Sequence, residues 1–214
     1  MKLYWGPHTC AIGTHILLEE IGAPYEAEKI DVAGGATKEP WFRAINPKGK
    51  VPTLVRDDGS VLTEFGAIAT WLALTHPDAA LLPEDADERA RAYAVMDYAV
   101  GTLHGQAFGR MMMPARYEPQ DPVHQTIGLG SGSVRRQGRE MATEAFTIVD
   151  DQLAGRDWSA GDAFGVADAA LFYVERWAPQ QDLPLPPRVR AHFERVSARP
   201  AVKRVLAIWG EPGA

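Results

Sequence analysis

Cys10 is the only cysteine in this 214-residue chain. It follows a short β-leaning run, residues 2–5, and the Gly6-Pro7 break, and it stands at the start of a helical pattern. A helix N-terminus offers unpaired N–H groups and the positive end of the macrodipole, both of which favour a thiolate. Lowering a thiol pKa from about 8.5 by one to two units corresponds to ~1.4–2.7 kcal/mol, enough to make the thiolate a sizeable fraction at neutral pH. The alternative is a small buried residue with no chemical role. A second feature is Lys50-Val51-Pro52-Thr53-Leu54. If the Val51-Pro52 bond is cis, the Val51 backbone is turned outward and free to pair with an extended peptide; otherwise Pro52 is an ordinary turn proline before a strand.

Thr63-Glu64-Phe65 opens a further helix. Its first N–H groups can hold a carboxylate while Glu64 pairs with a nearby ammonium group, so together they would recognise an α-amino acid end. Glu64 could equally serve only to complement the helix dipole. His104 lies among Gly101, Gly105 and Gly109 on a long helical pattern. Three interior glycines cost roughly 1 kcal/mol each against alanine, which suggests a compensating close approach. That approach is either a packed neighbouring helix or a substrate lying beside His104. The six histidines have no metal-ligand spacing, and no phosphate-binding glycine loop follows a strand, so no metal site is expected.

The elements that position these residues follow from periodicity. Residues 2–5 read as a strand and residues 10–21 as a helix with Gly22 as its stop, followed by a strand over 25–32. An irregular stretch leads to the Asn46-Pro47-Lys48-Gly49 turn. Two strands, 51–55 and 61–62, then flank Asp57-Asp58-Gly59 as a hairpin, and a helix spans 64–75. This βαβ-ββα order predicts an α/β thioredoxin-like domain over residues 1–76. Prolines and acidic residues mark 77–87 as a linker, and 88–214 reads as an all-α helical bundle domain. Its helices are expected over 88–113, 134–153 and 166–177, with one after Pro186-Pro187 and a last short one through Leu206. Prolines 114, 119 and 122 and the Gly128-to-Ser133 stretch interrupt it.

Composition bounds the function. A net charge of −6 with mixed signs gives no electrostatic footprint for nucleic acid or an anionic membrane, and a single cysteine excludes an intrachain disulfide. With no spanning-length apolar run and no signal-like N-terminus, the expected location is cytoplasmic.

Four segments in order and register carry a family resemblance: Pro7-His8-Thr9-Cys10 with His15, Asn46-Pro47-Lys48-Gly49-Lys50-Val51-Pro52, Leu62-Thr63-Glu64, and Gly161-Asp162-Ala163-Phe164-Gly165-Val166-Ala167-Asp168. The chain resembles the bacterial beta-type glutathione transferases over nearly its whole length. The resemblance implies glutathione as co-substrate and a cis Pro52, with Val51 pairing to the cysteinyl part. It also implies that Glu64 and the Phe65 amide hold the γ-glutamyl end, and that Cys10 lies near the glutathione sulfur with His104 reaching in from the helical domain. Homodimer formation is usual in the superfamily. Departures are Ala11 for a serine, Phe65 for serine or glycine, Gly105 for a lysine, and Gly165 for a serine or threonine cap. With Ala11 lacking a hydroxyl, Cys10, backbone amides and Thr9 are left to stabilise the sulfur. The expected activity is conjugation of the glutathione thiolate to small hydrophobic electrophiles, a detoxification chemistry. The alternatives are thiol–disulfide exchange through a Cys10 mixed disulfide, and a non-catalytic glutathione or ligand binder on the same fold.

Overall fold

The computed structural model describes residues 1–118 and 132–211. The prolines at 119 and 122 and most of the glycine-serine stretch lie outside the described residues. Four strands form one mixed sheet in the order β2-β1-β3-β4: β1 (Lys2–Trp5), β2 (Glu26–Lys29), β3 (Thr53–Val55) and β4 (Val61–Thr63). β1 runs parallel to β2 and antiparallel to β3, with Leu3 opposite both Ala27 and Leu54. Alternation along β1 assigns the faces. Leu3 and Trp5 join the main core, while Tyr4 turns to a second cluster with Ile30 and Phe42.

That second cluster explains a helix absent from the sequence reading. α2 (Pro40–Ile45) opens on a proline and buries only Phe42, whose ring meets Tyr4 edge-on at 5.8 Å. One buried residue in six leaves no periodic signal. α1 (Ala11–Ile21), capped by left-handed Gly22, is buried from Ala11 to Leu18 because it is covered on more than one side. It packs on α3 (Phe65–Thr75) and on two helices from the second half of the chain. Gly13 makes one of these crossings possible: a Cβ there would stand 2.9 Å from the Ala169 carbonyl oxygen and 2.7 Å from the Phe65 ring.

The expected single helix over 88–113 is three segments. α4 (Ala86–Asp97) starts two residues early because the Asp85 carboxylate accepts from the N–H groups of Asp87 and Glu88. A π-helical stretch (Tyr98–Phe108) and a short α5 (Gly109–Met112) follow. The three glycines do not mark a packed helix crossing. A Cβ at Gly101 would meet open space, one at Gly105 only the Val100 carbonyl at 3.3 Å, and one at Gly109 the Tyr117 hydroxyl at 2.7 Å. Among the described residues no neighbouring helix presses on any of the three. Gly101 and Gly105 instead fall within the widened π-helical turns, which often sit at functional sites, and Gly109 follows them directly.

α6 (Ser133–Gln152) and the buried α7 (Val166–Glu175) follow, then α8 (Trp177–Gln180), α9 (Pro187–Ser197) and α10 (Pro200–Trp209). Every residue of α7 is buried, including two carboxylates. Asp168 accepts from the Gly165 N–H at 2.8 Å, capping its own helix, and from the Ser159 N–H and hydroxyl. Gly165 cannot carry a serine or threonine side chain, since a Cβ would lie 2.6 Å from the Leu81 carbonyl oxygen. The cap is one-sided because the incoming chain occupies the other side. His192 of α9 bridges Asp168 and Glu175 at 3.0 and 2.8 Å. Its pKa is about 10: burial works against the charge, and the two carboxylates outweigh it. No helix among the described residues is long and apolar enough to cross a membrane.

Candidate active site

The open end of the sheet, where β1 passes into α1 and β3 begins, gathers the candidate residues. Cys10 caps α1, half-buried and packed against the core, with its Sγ 3.8 Å from the Val51 carbonyl oxygen. The segment before Pro52 is held by Asn46. Its side-chain amide donates to the Lys50 carbonyl and the Thr53 hydroxyl, both at 2.8 Å, and its oxygen accepts from the Lys48 N–H at 3.0 Å. The Val51-Pro52 bond is cis, as the resemblance implied. The sequence places Asn46 in a turn and at the head of a segment that carries the resemblance, with no role of its own. Its burial is what makes it a support, and nothing in the turn sequence announces that.

Glu64 stands between β4 and α3 with φ 71° and ψ 128°, a backbone that a side-chain-bearing residue seldom adopts. Such conformations cost of order 1–3 kcal/mol and cluster at ligand clamps. Its carboxylate is exposed and pairs with the Lys48 ammonium at 2.8 Å. Phe65 is the first residue of α3, so its N–H is one of the helix's unpaired donors, while its ring is buried against Tyr173 at 5.3 Å.

Two expectations about the sulfur environment change. The Thr9 hydroxyl donates to the Gly6 carbonyl at 2.7 Å, so its hydrogen is committed to the loop rather than to a ligand. The Cys10 thiol is not lowered but pushed up to about 12. Burial is the largest cause and Glu64 adds to it. The backbone at the helix start, Arg176 and Lys50 pull the other way and do not compensate. At neutral pH Cys10 is therefore S–H.

His104 reaches this region from the π-helical stretch. It is half-buried and its pKa is lowered to about 4, first by burial and then by Lys50, so it is neutral. Its ring lies against Trp177 at 4.9 Å and Tyr173 at 5.6 Å. The Tyr173 hydroxyl lies 3.4 Å from His104 Nδ1. Tyr173 is raised well above its ordinary value, first by burial and further by Cys10 once that sulfur ionises, so it keeps its proton and acts as the donor. His104 then carries its own hydrogen on Nε2.

Tyr173, Arg176 and Trp177 were missed as site residues. Arg176 and Trp177 fall three and four residues after Tyr173, just past the end of α7, in a run over 166–177 that reads as apolar nearly all round and so hides them among core residues. His15 belongs to the quoted motif yet lies away from the cleft. Trp209 donates to its Nδ1 at 2.9 Å, and its Nε2 lies 2.8 Å from the Tyr25 hydroxyl, which donates to Glu19. Among the described residues no cluster of three or more histidine, cysteine or carboxylate groups is placed to hold a metal.

Family models described as the glutathione S-transferase N-terminal domain and C-terminal domain match residues 9–75 and 132–207. The glutathione S-transferase GstA of Escherichia coli O157:H7 is 32% identical, the alignment covering 98% of this chain and 99% of that protein. A sphingomonad glutathione S-transferase solved in complex with glutathione superposes with a TM-score of 0.84 at 32% identity, over 98% of this chain and 99% of that one. The beta class glutathione S-transferase of Sphingomonas chungbukensis gives 0.83 at 30% identity over 98% and 99%.

Proposed function

The chain belongs to the glutathione S-transferase family, and on that premise we propose that it binds glutathione and conjugates its thiolate to small hydrophobic electrophiles. The observation that carries the reading is the meeting of three groups at one end of the sheet. These are the Cys10 thiol, the Val51 backbone held by Asn46, and the strained, exposed Glu64 beside a helix N-terminus. A γ-glutamyl tripeptide needs this set: an ammonium partner and free N–H groups at one end, and an extended main chain in the middle. Its sulfur would then rest at the start of α1 near Cys10. His104, fixed as an Nε2–H donor and backed by the buried Trp177, faces the same region from the helical part, where an apolar electrophile would sit.

Because Cys10 is protonated, its role in this reading is to turn its S–H from the Val51 carbonyl, which accepts it across a long 3.8 Å contact, to the glutathione thiolate. Thiol exchange would require Cys10 to ionise, which burial opposes. The protein supplies proximity and a lowered glutathione pKa; a two-unit shift is worth about 2.7 kcal/mol, which suits broad and modest activity. The same reading makes the protein a cytoplasmic detoxification enzyme and a homodimer. The face carrying Trp71, Tyr93 and Met96 leaves Leu74 62% exposed, and size-exclusion chromatography of Leu74→Glu decides whether a second copy covers it.

The test is retention on immobilised glutathione, followed by conjugation to an aryl halide across pH. Retention and a rate that rises as the bound thiol ionises are expected. Failure to bind, or binding without turnover on any electrophile, contradicts the proposal.

A further inference from the structure

Arg176 directly follows α7 and is 6% exposed. Its Nη2 crosses to the β1–α1 loop and donates to the Thr9 carbonyl at 3.1 Å, one peptide from Cys10. Its Nη1 donates to the carboxylate of Glu211, beyond the last helix, and the Trp209 ring lies 5.6 Å from the guanidinium carbon. Trp209 is in turn stacked on Trp5 at 4.3 Å and hydrogen-bonded to His15. The C-terminal residues and the reactive loop thus meet through one guanidinium. The pair with Glu211 is incomplete: among the described residues Arg176 Nε and Glu211 Oε1 are buried without a partner. A carboxylate that engages one edge of a buried guanidinium leaves part of its positive charge directed elsewhere, here toward Thr9 and Cys10.

We propose that Arg176 is a positioning residue for the sulfur end of the cleft, holding the Thr9–Cys10 loop by the Thr9 carbonyl, and that Glu211 sets how much of its charge reaches the glutathione thiolate. Cys10 senses this charge, since Arg176 favours its ionised form. The other charged groups acting at that end are Lys50, which favours an anion, and Glu64, which opposes one. His104 and Tyr173 are uncharged at neutral pH. Glu211 is the one that acts through Arg176, and it is not among the tripeptide contacts proposed above.

The inference rests on glutathione binding as proposed. The test is ultraviolet absorbance of the bound glutathione thiolate, titrated against pH in the full chain and in Arg176→Gln, Arg176→Lys and Glu211→Gln. This readout does not depend on which step limits turnover. Arg176→Gln should raise the bound thiol pKa and Glu211→Gln should lower it, each by roughly half a unit or more, with Arg176→Lys returning toward the wild-type value. A merely structural role would not give shifts of opposite sign. Glutathione binding with unmoved titrations, or shifts in the same direction, overturns the proposal. Should Arg176→Gln not fold, Glu211→Gln alone decides by moving down or failing to. A wild-type chain that does not bind glutathione overturns the functional reading itself, and this inference with it.

Discussion

Cys10 stands where a helix terminus and a buried pocket act against each other on one sulfur. Motif position alone favours the thiolate, because the N–H groups at the start of α1 are visible from sequence and the packing around them is not. The desolvation from that packing is the larger effect, and it places the thiol at about 12. The consequence is a donor rather than a nucleophile. A single neutral hydrogen bond is worth about 0.5–1.5 kcal/mol, so Cys10→Ala should lower kcat/KM for conjugation by roughly tenfold or less. Mass analysis of the wild-type chain incubated with glutathione disulfide should find no glutathionyl adduct on Cys10. A loss of several hundredfold in conjugation would show that the sulfur takes part covalently and would restore the exchange reading.

The elements that present the site were legible where periodicity is clean. β1, α1 and α3 fall where their apolar spacing puts them, with Ile68, Ala69 and Leu72 buried as their positions require. Residue types whose role depends on a distant partner were not legible. Asn46 matters because Lys50 and Thr53 fold back onto it, and the π-helical widening after Asp97 comes from hydrogen bonding that no periodicity resolves. Gly165 shows both sides: its cap position was visible, but its necessity depends on the Leu81 carbonyl, over eighty residues earlier in the chain. The buried Asp168–His192–Glu175 group is the element-level keystone of the helical part. Removing one member of a buried charged network costs about 3–5 kcal/mol, because the others lose their partner without regaining water. Asp168→Ala should therefore lower unfolding free energy by that amount in urea titration. A loss under about 1 kcal/mol would mean that solvent reaches the group.

Across the whole molecule the histidines set opposing pH limbs. His15 and His104 are depressed to about 4, so their contribution is complete above the unfolded value near 6.5 and is lost as pH falls toward 4. His192 is raised to about 10, so its contribution is complete below about 6.5 and is lost as pH rises toward 10. Chemical denaturation across pH should thus give greatest stability near pH 6–7, declining on both sides. The acid limb matters for architecture. His15 must stay neutral to accept the Trp209 N–H, and Trp209 joins the last helix to the sheet through Trp5. Stability that holds level from pH 7 down to pH 4.5 would contradict that assignment.

Calorimetric titration with glutathione, run on the wild-type chain and on Glu64→Gln, tests the central claim most directly. The account predicts saturable binding of one glutathione per chain, weakened roughly tenfold or more when the carboxylate that faces the γ-glutamyl ammonium loses its charge. No saturable heat from the wild-type chain, or equal affinity in the two proteins, would contradict it.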